Sequence, residues 1–242
     1  MPDISLVEFE NVSYRYDSGK SDVLNRITCA VQHGDRVCIT GRSGSGKTTL
    51  LNLAGGLQDP TSGVVRFEGK PWSQTSSSEK SRIRARKIGF IFQSPNLIPV
   101  MTAFENVDFA LEFSGKRLTA DSRKGRVREV LSITGLSALA KSRPSQMSGG
   151  ECQRLAIARA IAKTPVLILA DEPTSHLDDN NAEQIQEIFE TLSVHFGVAV
   201  ITATHDHRIS TRYERFVRLS DRSQDGSLRE DHKSELRRGV EK

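Results

Sequence analysis

Eight consecutive residues, Gly41-Arg42-Ser43-Gly44-Ser45-Gly46-Lys47-Thr48, carry the most concentrated chemistry in the chain, and a second hydroxyl residue, Thr49, follows them. Glycines let a backbone turn tightly and bring successive N–H groups close to phosphate oxygens. Lys47 in that setting suits the β- and γ-phosphates of a nucleoside triphosphate, and the Thr48 hydroxyl suits a phosphate-bound Mg²⁺. A glycine-rich turn with no ligand would leave the lysine without a purpose. The chemistry needs a strand running in and a helix running out, because the helix N-terminus adds partial positive charge.

A second constellation is Leu167-Ile168-Leu169-Ala170-Asp171-Glu172. A short apolar run delivers two adjacent carboxylates to its end. Asp171 suits the Mg²⁺ shell. Glu172, one residue further, suits orientation or deprotonation of an attacking water. Alone, this stretch reads equally as a strand with an acidic surface turn; paired with residues 41–48 it reads as the other half of a nucleotide site.

The elements that must position these groups are legible in outline. The first third reads as strands and turns: an alternating strand over 6–14, a turn at Asp17, Ser18 and Gly19, a strand over 27–31 and another over 36–40. A helix over 48–55 follows the glycine-rich loop, then a strand over 64–67, a polar helix near 79–86 and a strand over 88–92. From about residue 94 the pattern turns helical, with Phe104, Val107, Ala110 and Leu111 on one face and Val127, Val130, Leu131 and Thr134 on another. The last third predicts a helix over 150–163, a strand over 166–170, a helix over 179–195, and strands over 198–203 and 215–219. Short apolar strands alternating with helices imply a parallel sheet covered on both faces. The tail, 220–242, has 12 charged residues in 23 and reads as a solvated or frayed end.

Composition narrows the classes further. A chain of 242 residues suits one large domain or one domain with an insertion, and 36% apolar with 26% charged residues is a globular balance. No apolar run approaches the roughly 18 residues that span a bilayer. Asp3, Glu8 and Glu10 stand where a secretory signal would be basic and then apolar. Cys29, Cys38 and Cys152 have no metal-ligand spacing and read as reduced thiols. A net charge of +4 gives no support to nucleic-acid binding.

Met147-Ser148-Gly149-Gly150-Glu151-Cys152-Gln153-Arg154 goes beyond what a plain nucleotide-binding loop needs. It resembles the signature motif of ATP-binding cassette (ABC) ATPases, and the surroundings agree in order and spacing. Gln93 matches the family's Q-loop, Ser175-His176-Leu177-Asp178 its D-loop, His205 its switch histidine, and Tyr16 its adenine-stacking aromatic. The resemblance covers about residues 4–219. Taken singly, Ser148 reads as a helix cap, His205 as a capping or core histidine, Gln93 as a strand-end polar residue, and Tyr14 competes with Tyr16.

The resemblance implies an α/β fold: a P-loop NTPase core with a mostly parallel sheet (4–93 and 164–219), an N-terminal antiparallel β subdomain, and an inserted helical subdomain (about 94–163) carrying the signature. It implies an ATPase with Glu172, His205 and Gln93 as catalytic residues. Tyr16, residues 41–49, Ser148, Gly149, Gly150, Glu151 and Asp178 would bind ATP, with Thr48, Gln93 and Asp171 around Mg²⁺. It implies a head-to-tail homodimer in which the signature of one subunit completes the site of the other, and a separate integral membrane permease at the cytoplasmic face of a bacterial inner membrane. The stretch from Gly89 to Pro99, continued by Glu105-Asn106-Val107, resembles the class serving lipoprotein release and macrolide or peptide export. A soluble ABC ATPase of DNA repair or translation shares these motifs, but such proteins usually carry paired cassettes, zinc modules or coiled-coil inserts. Met147, Glu151, Cys152 and His176 depart from the commonest family residues. His176 replaces a small one, and Cys152 is expected as a small buried helix residue.

Overall fold

The computed structural model describes residues 4–16, 22–115, 118–213, 215–219 and 230–232. In chain order, β1 (Val7–Tyr14) and β2 (Leu24–Val31) pair antiparallel, and β3 (Arg36–Thr40) runs through residues 41–46 into α1 (Lys47–Ala54). The strands β4 (Ser62–Phe67) and β5 (Lys70–Pro71) complete an antiparallel sheet in the order β2-β1-β4-β5. Then come α2 (Ser77–Lys87), β6 (Ile88–Ile91), α3 (Ala103–Glu112), α4 (Ala120–Ile133) and α5 (Gly149–Ile161). The chain closes with β7 (Leu167–Asp171), α6 (Asp179–Phe196), β8 (Ala199–Thr204), α7 (His207–Ser210), β9 (Arg215–Arg218) and β10 (Glu230–His232). The second sheet has the order β10-β9-β3-β8-β7-β6, parallel from β9 to β6 with β10 antiparallel on its edge.

Alternation explains why the central parallel strands are mostly apolar. In β7, Leu167 and Leu169 face one core while Ile168 and Ala170 face another. In β8, Ala199, Ile201 and Ala203 join the first core and Val200 the second. The first core lies between the two sheets and takes in Leu50, Leu51 and Leu53 of α1; the second lies under α3, α4, α5 and α6. A strand buried on both faces admits a polar residue only where it finds a partner: buried Thr202 of β8 accepts from the Tyr213 hydroxyl at 2.8 Å.

The middle of the chain differs from the sequence expectation in two places. Residues 92–102 form an irregular connection rather than a helix. Buried Asn106 supplies its hydrogen bonds instead: Oδ1 accepts from the Ile98 amide at 2.9 Å, and Nδ2 donates to the carbonyls of Ile98, Met101 and Thr102 at 3.0–3.1 Å. Helix α4 begins at Ala120, seven residues before Val127 opens its apolar stripe, because Thr119 caps it by accepting from Ser122 N at 3.2 Å. Val127, Val130, Leu131 and Thr134 are all buried, as expected of that stripe, whereas Phe104 is only partly so. The turn at 17–19 and most of the tail lie outside the described residues; residues 230–232 pair with β9.

Candidate active site

Parallel register brings the chemistry to one edge. Thr40 of β3 pairs with Thr204 of β8, Asp171 of β7 with Ala203 of β8, and Ile91 of β6 with Ala170 of β7. The segments that leave these strand ends carry Gly41, His205, Glu172 and Gln93, at the sheet edge where α/β proteins hold ligands.

The loop after β3 prepares an anion site. Helices α2 to α6 each open with a side chain accepting a first-turn amide: Ser76, Thr102, Thr119, Ser148 and Asp178. Helix α1 opens instead on Gly46, with φ 99° and no side-chain cap. A Cβ there would come within 2.8–2.9 Å of Leu24 and Val23, so only glycine fits. The first-turn N–H groups of α1 are thereby left to an anion. Arg42, Ser43 and Gly44 form an exposed rim, while Ser45 Oγ is buried with no hydrogen-bond partner among the described residues. Trp72 closes the other end of α1, donating Nε1–H to Ala54 O at 3.2 Å.

Lys47 is only 7% exposed. Its Nζ donates to the carbonyls of Gly41 (2.9 Å) and Arg42 (3.2 Å) and lies 3.5 Å from Glu172 Oε1. A buried ammonium needs such oxygens to offset its lost hydration. Thr48 Oγ1 donates to Asp171 Oδ2 at 2.6 Å, joining the two expected Mg²⁺ ligands directly. Burial holds the Asp171 carboxyl above its ordinary range, and the Glu172 charge adds to this, while the Thr48 hydrogen bond and Lys47 pull it down.

Glu172 sits at φ 48°, in the left-handed region that a side chain adopts at a cost. Its amide still continues the sheet, bonding Ala203 O at 2.9 Å. Its Oε1 is shared by Lys47 and by His205, whose Nδ1 is 2.8 Å away, and Oε2 is buried with no partner among the described residues. The same charge helps burial push the Cys38 thiol, inside β3, up to about 12.

Gln93 stands apart from this cluster. Its Nε2 lies 2.9 Å from His176 Nε2, tying the segment after β6 to the segment after β7. The signature forms the start of α5. Ser148 is its N-cap, with Ser148 Oγ accepting from Glu151 N at 3.3 Å and Glu151 Oε2 accepting from Ser148 N at 2.7 Å. That bond holds the Glu151 carboxyl below its ordinary range. A Cβ on Gly150 would fall 2.1 Å from Asn181 Oδ1, whereas one on Gly149 would meet nothing within 4 Å. Asp178 caps α6 through Asn181 N at 2.9 Å, and Asn181 accepts from Arg154 Nη1 at 2.7 Å. Asn181 therefore clamps the signature helix to α6, a role the sequence reading missed; its spacing three residues after Asp178 is the only local signal. Cys152 is half-buried rather than buried, its Sγ 3.5 Å from Pro144 O. Tyr16 is 42% exposed, its hydroxyl 2.9 Å from Thr49 Oγ1, with Tyr14 against it edge to face at 5.0 Å.

The family model described as ABC transporter matches residues 24–175. The dimeric ATP-binding cassette MJ0796, in a post-hydrolysis state bound to ADP and Pi, is 38% identical over 94% of this chain and 98% of that one, with a TM-score of 0.82. A second dimeric structure of MJ0796, described as a bacterial ABC transporter cassette, is 37% identical over the same shares, with a TM-score of 0.83. CbiO1 from Clostridium perfringens, part of the ABC transporter complex CbiONQ, is 26% identical over 98% of this chain and 92% of that one, with a TM-score of 0.87. The chain belongs to the ABC transporter family and is one of its ATP-binding ATPase cassettes.

Proposed function

We propose that two copies of this chain enclose two ATP molecules and hydrolyse them to drive a separate integral membrane subunit. The observation that carries this reading is the convergence of Lys47 and His205 on one carboxylate oxygen of Glu172, beside the Thr48–Asp171 pair. The residues present also suit Mg²⁺. Thr48 and Asp171 offer hard oxygen donors side by side; Gln93, on the segment after β6, the strand beside β7, would add an amide oxygen, and phosphate oxygens would fill the remaining positions. Mg²⁺ bound with the nucleotide supplies charge neutralisation and a template for the phosphate oxygens.

The protein's own groups do the rest. Lys47 exchanges its carbonyl partners for β- and γ-phosphate oxygens. The open first turn of α1 holds the same phosphates, and the exposed ring of Tyr16 stacks on the adenine. Glu172 takes a proton from the attacking water as its oxygen bonds the γ-phosphorus and the bond to ADP breaks. His205 holds Glu172 through Nδ1 and keeps Nε2 for the γ-phosphate. Ser148 spends an oxygen lone pair on capping α5, so its O–H remains to donate to the γ-phosphate of the partner's nucleotide. Symmetry then gives two equivalent sites.

Among the described residues no helix is long and apolar enough to cross a membrane. The likeness to a cassette that is part of a transporter complex supports a membrane partner on another chain, with this protein working peripherally at the cytoplasmic face of a bacterial inner membrane. The sequence from Gly89 to Val107 favours export or extraction of a lipid, lipoprotein, peptide or drug over import.

A complementation experiment tests the shared site. Lys47→Ala and Gly149→Ala each inactivate the homodimer. Mixed, they form heterodimers in which one site has an intact loop and an intact signature, so ATPase activity returns. No recovery on mixing contradicts a site built from two chains.

A further inference from the structure

The backbone around Gln93 is fixed from α5. Buried Gln153 donates Nε2–H to Phe92 O at 3.0 Å, immediately before Gln93. Arg159 donates from Nη2 to Pro95 O at 3.0 Å and from Nη1 to Asn96 O at 2.6 Å, just after it. What remains to be set is the orientation of the carboxamide itself. An amide has two unlike ends: Oε1 accepts and can ligate a hard cation, whereas the NH₂ group only donates. A half-turn of the terminal torsion swaps them at little steric cost.

We propose that His176 is a positioning residue that fixes this torsion, committing the Gln93 NH₂ group to the D-loop and turning Oε1 towards Mg²⁺–ATP. The inference rests on the reading of Gln93 as a Mg²⁺ ligand. Gln93 Nε2 lies 2.9 Å from His176 Nε2. The amide nitrogen can only donate, so in this arrangement the imidazole nitrogen accepts. Among the described residues nothing else hydrogen-bonds to the Gln93 side chain. The two residues line one cavity of about 740 Å³, with Gly149 and Cys152 of the signature helix on its other side. An outer partner that orients a ligand in this way commonly changes metal affinity more than the fold. His176 is exposed, so its replacement leaves both cores untouched.

The test is a donor–acceptor series at position 176, with two readouts. His176→Ala removes the acceptor, His176→Gln restores one, and His176→Lys supplies only donors, which draws Oε1 away from the cation. The first readout is the Mg²⁺ concentration for half-maximal ATPase at saturating ATP. It rises on the order of fivefold in His176→Ala, the scale of one lost hydrogen bond. It rises further in His176→Lys and returns to near the original value in His176→Gln, with KM for ATP at saturating Mg²⁺ unchanged. The second readout is the Gln93 side-chain NH₂ pair in the ¹H–¹⁵N spectrum of nucleotide-free protein, identified by its loss in Gln93→Ala. His176→Ala moves that pair to the position of a solvated amide. An unmoved pair, or a Mg²⁺ requirement that is the same in the Ala, Gln and Lys variants, overturns the inference. Gln93→Ala separates the two levels: if it leaves the Mg²⁺ requirement unchanged, the ligand reading fails and the inference with it. If it raises the requirement while the His176 variants do not, only the inference fails.

Discussion

His205 Nδ1 lies 2.8 Å from Glu172 Oε1. The bond joins the residue after β8 to the residue after β7, and the same oxygen lies 3.5 Å from Lys47 Nζ, at the start of α1. Three segments distant in sequence thus converge on one acid, held at φ 48°. A conformation of that cost persists where the surrounding structure over-determines it.

The two signature glycines separate packing from function. Gly150→Ala forces a Cβ against Asn181 and breaks its clamp on Arg154, so it lowers stability by about 1–3 kcal/mol, the range of overpacked contacts. Gly149→Ala meets nothing and leaves the melting temperature unchanged or slightly raised, yet it abolishes ATP-driven dimerisation. Thermal denaturation and size-exclusion chromatography of both variants check this.

Asp171→Asn trades activity for stability. The carboxyl is held above its ordinary range by burial and by Glu172, so at neutral pH its charge opposes folding. That opposition weakens as pH falls through the raised value. An amide still accepts from Thr48. The variant therefore melts at a higher temperature than the original protein at pH 7, with the gap closing in acid, and it has no ATPase activity.

Tyr16→Ala weakens ATP binding by the value of one base–aromatic stack, about 1–3 kcal/mol, with little change in stability. Tyr14→Ala does the reverse, since Tyr14 packs against the first core. Titration with a fluorescent ATP analogue, alongside thermal melts, distinguishes them.

Lys163 sets a pH dependence away from the site. Burial lowers its ammonium from about 10.5 to about 8, with Nζ donating to Arg84 O at 2.9 Å. Above pH 8 the folded protein has released a proton that the unfolded chain keeps, so Lys163 makes stability rise from pH 8 towards 10.5. Cys38 acts in the opposite sense above pH 9, its folded thiol being pushed up to about 12. Between pH 8 and 9 the slope of unfolding free energy is therefore more positive in the original protein than in Lys163→Met, as urea titrations at both pH values measure.

The parts of this fold legible in the sequence are those whose physics is local. The β3 loop, the β7 carboxylates and the apolar stripes of α3 and α4 follow from spacing alone. Residues 92–102 looked helical because their polar anchor, Asn106, is indistinguishable from a surface asparagine until its four backbone partners are in place. The pairing of Gln93 with His176 depends on β6 lying beside β7, and the approach of Gly150 to Asn181 depends on how α5 and α6 meet. No window of sequence contains that information. Strand Glu230–His232 is equally non-local, because a charged segment becomes an edge strand only when β9 offers it a ladder.

The most direct measurement is the mass of Glu172→Gln by light scattering, with and without ATP and Mg²⁺. Glutamine keeps the shape of the side chain but cannot take the proton of the attacking water. The account predicts a monomer without nucleotide, a stable dimer retaining two ATP per pair, and no phosphate release. A variant that stays monomeric with bound ATP, or that turns over at the original rate, contradicts it.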